Sequence, residues 1–171
     1  MTARIVTPAA LVEEVVVNIA DFGVAVKRGV LTTVGLGSCV AVAIHEPVAR
    51  VTALAHVLLP AAAMARGAEP TRPAKFADLA VPLLVREMRR LGAEGHLTAK
   101  LVGGSRMFGA LLGTGINMGE RNTDAIRRAL ASCRVRIVAE DVGGEHGRNV
   151  IVDVATFRVR VTSLQGGDRV L

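Results

Sequence analysis

The sequence predicts an α+β fold: one domain in which a mostly antiparallel sheet system carries helices on one side. Three observations predict it. Short β-branched or alternating apolar runs follow one another as consecutive hairpins, separated by glycine, proline and acidic turn residues. Only two stretches, starting near residues 76 and 122, carry apolar residues at the spacing of an amphipathic helix. Finally, 171 residues that are 51% hydrophobic and 21% charged make a single domain with a real core, not a disordered chain. Strand runs with segregated helices are the α+β pattern.

Taken in order, residues 1–13 read as a loosely ordered segment ahead of a domain spanning 14–162. Glu14–Ala20 is short and β-branched, a first strand; Val24–Lys27 is ambiguous, and Gly29 turns the chain. Leu31–Val34 leads into a bend at Gly35 and Gly37. Ser38–His45 and Val51–Leu58 then form a hairpin about Glu46-Pro47. Pro60 to Pro73 reads as a surface loop with a short helical turn. Ala77, Val81, Leu84, Met88 and Leu91 set the stripe of a helix over 76–91, stopped by Gly92. Pro82 conflicts with it and predicts a kink or a late start. Ala99–Val102 is a strand running into Gly103-Gly104-Ser105, and the four glycines between 109 and 119 predict a loop. Asn122 or Thr123 is expected to cap the second helix, with Ile126, Ala129, Leu130 and Cys133 on its apolar face. Val135–Ala139, the alternating Val150, Val152 and Val154, and Arg158–Val161 complete the strands, the last two as a half-exposed edge hairpin. The tail 163–171 is polar and reads as flexible.

Composition excludes several classes. Aromatics are 2%, with no Trp or Tyr, so Val, Ala, Leu and Ile fill the core, and no base-stacking platform accompanies the net charge of +6. Nucleic acid is therefore not an expected partner. Two cysteines do not make a disulfide framework. Glu13 and Glu14 interrupt any apolar leader, and no uncharged run reaches the ~18 residues of a membrane span. A cytoplasmic protein with free thiols and no membrane insertion is expected. His45, His56, His96 and His146 show no metal-ligand spacing with Cys39 or Cys133, and no phosphate-loop signature is present, so neither metal nor cofactor is expected.

The chemistry concentrates on Cys39. A hairpin centred between Pro47 and Val48 sets Cys39 directly opposite His56, with Cβ atoms about 4.5–5.5 Å apart. His45 shares that face but lies roughly 20 Å along the strand. Such a thiol can lose its proton to the imidazole, the imidazolium then favouring the thiolate. The alternative is a small buried hydrophobe heading a core strand. Backbone N–H groups near Gly35, Gly37 and Ser38 are candidates for an oxyanion pocket. For the group orienting His56, Thr33, Glu140 and Asp141 all remain open; spacing does not choose among them.

These residues bring a family into view. Thr33-Val34-Gly35-Leu36-Gly37-Ser38-Cys39-Val40 and Ala55-His56-Val57-Leu58-Leu59-Pro60 strongly resemble the CheD family, receptor glutamine deamidases of bacterial and archaeal chemotaxis. The likeness continues through Lys75–Asp78, Gly103–Phe108, Asn117–Asn122 and Glu140–Gly144, and covers the chain from about 18 to 162. It implies a cysteine–histidine–threonine triad on Cys39, His56 and Thr33. It also implies a three-layer α/β/β sandwich, similar in its catalytic centre to cytotoxic-necrotizing-factor toxins. The segment Gly103, Gly104, Ser105, Met107 and Phe108 becomes a candidate substrate or partner loop. The implied substrates are glutamine side chains on the cytoplasmic helices of chemoreceptors, and a CheC-type phosphatase is an implied partner. Phe76 stands where tyrosine is common, and Asn149 replaces a frequent serine. The activity so implied is protein-glutamine hydrolysis to glutamate and ammonia. The competing readings are a binding partner of a CheC-type phosphatase and a thiol hydrolase acting on receptor methyl esters.

Overall fold

The structure, a computed structural model, describes residues 4–6, 14–65, 71–106 and 117–171. Strands β1 (Arg4–Val6), β2 (Glu14–Val16), β3 (Phe22–Val26), β4 (Val30–Leu36), β5 (Val40–Glu46) and β6 (Val51–Val57) precede helix α1 (Ala77–Arg90). Then come β7 (Thr98–Gly103), α2 (Met118–Ser132), β8 (Arg136–Val142), β9 (Arg148–Asp153), β10 (Val159–Thr162) and β11 (Arg169–Val170). They form a six-stranded sheet ordered β1-β3-β6-β5-β7-β8 and a five-stranded sheet ordered β11-β10-β9-β4-β2. Most pairings are antiparallel; β1–β3, β2–β4 and β7–β8 are parallel.

Two cores make the three layers. Val40, Val42, Ile44, Ala53, Ala55 and Val57 face the helices, against Ala77, Val81, Leu84 and Met88 of α1 and Ile126 and Leu130 of α2. The other faces of the same strands, with Cys39, Ala41, Ala43 and Leu54, pack on Leu31, Leu36, Val150, Val152, Val159 and Val161 of the second sheet. Strands buried on both faces read as near-continuous apolar runs, and β5 and β6 are buried throughout, with only His45, Glu46, Thr52 and His56 polar. The functional candidates lie in the second core, between the sheets.

Several local expectations give way. The hairpin register is displaced: Val40 pairs with Val57, Ala41 with His56 and Glu46 with Val51. The expected centre would need a two-residue loop at Pro47-Val48, and such loops place a positive φ at one or both positions. Proline is locked near −65° and cannot supply it. Four residues turn the chain instead, with Arg50 left-handed at φ 52° and the Ala49 N–H donating to the Glu46 carboxylate at 2.6 Å.

Pro82 does not delay α1, which starts at Ala77. Its ring is on the exposed side, so the Asp78 carbonyl that loses its donor is left to water. The second helix begins a turn earlier than the caps Asn122 or Thr123 would place it. Asn117 is the cap, its Oδ1 accepting from the Glu120 N–H at 3.2 Å, and Glu120 returns to the Asn117 side chain. Of the ambiguous run 24–27, Val24–Val26 belong to β3 and Lys27 follows it, left-handed at φ 68°. Strand pairing also occurs inside both segments read as loose, at Arg4–Val6 and at Arg169–Val170.

His45 is buried. It shares a 2.8 Å hydrogen bond with Thr52 Oγ1, and its ring stacks 4.8 Å from that of Phe157. Strand β5 runs on to Glu46 with a neighbour on each side, which closes His45 in.

Candidate active site

Thr33, Cys39 and His56 come together in the gap between the two sheets. Thr33 and His56 are wholly buried, and Cys39 is 8% exposed. Thr33 Oγ1 lies 2.8 Å from His56 Nδ1 and 2.7 Å from the Val17 carbonyl oxygen. A hydroxyl has one proton, and a carbonyl can only accept, so that proton belongs to Val17. The Thr33 lone pair then accepts from His56 Nδ1–H. This fixes the tautomer: Nε2 carries the free lone pair. Nε2 is buried and has no hydrogen-bond partner among the described residues.

Cys39 sits one residue before β5. In the observed register it stands diagonally from His56, not directly opposite, at the Cα separation of about 7–8 Å typical of such diagonals. A displacement by two positions keeps both side chains on one face, because the side-chain period is two. The thiol makes no hydrogen bond to the ring in this resting geometry, and bonds of this kind commonly tighten only when substrate arrives.

Burial pushes the Cys39 thiol up, while its own backbone N–H pulls the other way. Burial pushes His56 down to about 4. At neutral pH both groups are therefore uncharged, where the sequence suggested a thiolate beside an imidazolium. A low-dielectric gap disfavours that ion pair, and Thr33, being neutral, does not compensate the imidazolium as a carboxylate would. The pair is suited to base-assisted attack, with the proton moving as the sulfur–carbon bond forms.

The other candidates frame the cysteine. Gly35 is exposed, left-handed at φ 72°, and its N–H donates to Asn149 Oδ1 at 2.9 Å. The Gly37 carbonyl accepts from the Ser105 N–H and the Cys39 carbonyl from the Gly104 N–H, both at 2.8 Å. The segment Gly103-Gly104-Ser105 is thus strapped to the Gly37–Cys39 bend. A Cβ at Gly103 would collide with the Cys39 carbonyl oxygen, which explains a glycine there. Met107 and Phe108 lie outside the described residues.

Asp141 and Glu140 do not reach His56. Asp141 pairs with Arg148 at 3.0 Å, and Glu140 with Arg127. Sequence reasoning missed Arg148 and Asn122. Arg148 is buried and also donates to Ser105 Oγ and the Gly143 carbonyl, holding the glycine segment from below. Asn122 donates to the Ser38 and Leu58 carbonyls at 2.9 and 3.0 Å. No local pattern signals either: both partners of Asn122 are distant in sequence, and the tie of Arg148 to the glycine segment runs through Ser105, 43 residues away. Among the described residues, no group of three His, Cys, Asp or Glu side chains is arranged to hold a metal ion.

A thiol and a tautomer-fixed imidazole thus share the gap between the two sheets of an α+β sandwich. The comparisons make the class particular. Residues 58–163 match the family model described as CheD chemotactic sensory transduction. The chain is 41% identical over 153 residues to the probable chemoreceptor glutamine deamidase CheD of Desulforamulus reducens, covering 88% of this chain and 91% of that protein. It is 39% identical over 155 residues to the chemoreceptor glutamine deamidase CheD of Thermotoga maritima, covering 90% and 94%. A probable CheD from Thermococcus kodakarensis is 40% identical over 155 residues, covering 90% and 95%. The chain belongs to the CheD family.

Proposed function

We propose that the chain is a chemoreceptor glutamine deamidase, a protein-glutamine glutaminase acting on receptor side chains in chemotaxis. Cys39 is the nucleophile, His56 the base and acid, and Thr33 the residue that orients the ring. The observation that carries this is the Val17–Thr33–His56 relay, which leaves Nε2 bare on the face that also carries Cys39.

In the first half-reaction, His56 Nε2 takes the thiol proton as Sγ attacks the carboxamide carbon. Backbone N–H groups at the Gly37–Cys39 bend meet the oxyanion. The imidazolium then gives its proton to the leaving nitrogen, ammonia departs, and a thioester remains. In the second, His56 takes a proton from water, the hydroxide attacks the thioester carbon, and the proton returns to sulfur as glutamate leaves. Substrate glutamines on cytoplasmic receptor helices imply work in the cytoplasm, and the net charge of +6 suits acidic helices. Among the described residues no helix is long and apolar enough to cross a membrane. A CheC-type phosphatase is the partner to seek by co-purification.

The test is mass spectrometry of a receptor helical fragment after incubation. Conversion of glutamine to glutamate by the parent, and none by Cys39→Ala, is expected. Conversion that survives Cys39→Ala, or loss of a methyl ester in place of the amide, would sink the reading.

A further inference from the structure

The β5–β6 ladder ends at Val40 and Val57, and beyond that pair the two strands part. On one side, the chain leading into Cys39 is drawn to Gly104 and Ser105. On the other, the Leu58 and Leu59 N–H groups both turn to the Lys75 carbonyl, at 3.0 and 2.9 Å. Splitting a ladder in the interior leaves carbonyls without donors, and a buried carbonyl left so costs about 1–3 kcal/mol. The side chain of Asn122, from the first turns of α2, fills the split. Its one amide nitrogen has two protons; one goes to Ser38 O at 2.9 Å and one to Leu58 O at 3.0 Å. Ser38 immediately precedes Cys39, and Leu58 is two residues after His56.

We propose that Asn122 is a positioning residue that fixes the separation of the nucleophile strand from the base strand by bridging the carbonyls of Ser38 and Leu58. This inference rests on the thiol–imidazole reading above. Two further observations support it. The residue is completely buried, and its Oδ1 has no partner among the described residues, so the amide is kept where an apolar side chain would avoid that penalty. Close approach of α2 to the cysteine bend is also built into the backbone, because Gly119 packs against the Gly104 and Ser105 carbonyls with no room for a Cβ. The N-terminal turns of α2 are thereby set at a fixed height over the split, and the Asn122 amide reaches both carbonyls at once.

A double-mutant cycle on thiol reactivity tests this, in the full chain carrying Cys133→Ser so that Cys39 is the only thiol. In the parent, His56→Ala slows alkylation of Cys39 by iodoacetamide at pH 7. In an Asn122→Ala or Asn122→Asp background, His56→Ala is expected to make little further difference, because the ring no longer faces the sulfur at the right distance. The same variants should lower kcat on a receptor fragment by about 10–100-fold, with KM changed by less than about three-fold. Thr123→Val alters the neighbouring buried side chain, whose hydroxyl donates only to Gly119 O, and should leave the coupling intact. Asn122→Asp keeps the side-chain volume and decides the matter if Asn122→Ala does not fold. Full parental coupling in a folded Asn122 variant, or equal loss in Thr123→Val, overturns the proposal. Alkylation indifferent to His56 in the parent overturns the pair itself and this brace with it. Coupling in the parent without deamidation of receptor glutamine overturns only the deamidase assignment.

Discussion

The Thr33 hydroxyl lies 2.8 Å from His56 Nδ1 and gives its own proton to Val17, so a neutral residue dictates which imidazole nitrogen is basic. Threonine accomplishes with one lone pair what a carboxylate does elsewhere, without adding charge to a buried gap.

Replacing it isolates that effect. Thr33→Val keeps the shape but leaves His56 Nδ1–H and the Val17 carbonyl without a partner. Deamidation should fall about 10–100-fold, with a stability loss of about 1–3 kcal/mol for the stranded buried groups. Thr33→Ser should restore most of both. Ammonia release and urea unfolding measure the two effects, and a Thr33→Val protein with parental turnover would remove Thr33 from the mechanism.

The pH profile follows from His56. Its folded pKa, near 4, lies below the ordinary 6.5, so between those values the unfolded chain binds more protons. The neutral-ring contribution is therefore present above pH 6.5 and is lost as pH falls through 4. The difference of 2.5 units corresponds to about 3 kcal/mol at 1.36 kcal/mol per unit. The acid limb of kcat/KM should be centred near 4, because the free imidazole is the active form. A limb near 6.5 would show that the ring titrates as though exposed.

Arg148 holds the glycine segment through Asp141, Ser105 and Gly143. Arg148→Met removes one partner of a buried ion pair and should cost about 3–5 kcal/mol by leaving Asp141 stranded. Arg169, 3.7 Å from Asp141 and more exposed, is a weaker substitute. Thermal unfolding of the single variant and of the Arg148→Met, Asp141→Leu pair measures this; the double variant should recover part of the loss.

Gly103→Ala tests the strap behind the nucleophile. The residue is left-handed at φ 115°, and the new methyl would meet the Cys39 carbonyl. Backbone strain of about 1–3 kcal/mol is expected, with a drop in turnover larger than the same stability loss produces at a remote site. Turnover unchanged in the folded variant would separate the glycine segment from the chemistry.

Much of this was legible in the residues because it is periodic or local. Alternation and β-branching give β5, β6 and β9, the three-and-four spacing gives α1, and the parity of positions 39 and 56 puts the thiol and the imidazole on one face. Register was not legible to one residue, since it depended on which turn Pro47 permits. The start of α2 was misplaced because both Asn117 and Asn122 are good caps, and only packing shows that Asn122 lies inside the helix.

By itself the sequence determined an α+β chain with a cysteine and a histidine on the same face of a doubly buried hairpin, because side-chain direction in a strand is fixed by counting. Tertiary structure alone decided how the ring is held, which nitrogen is bare, and what keeps the two strands apart at the mouth. Those depend on the contacts of Val17 with Thr33, of Asn122 with Ser38 and Leu58, and of Arg148 with Ser105, and hydrogen bonds between distant segments leave no periodic trace in the order of residues.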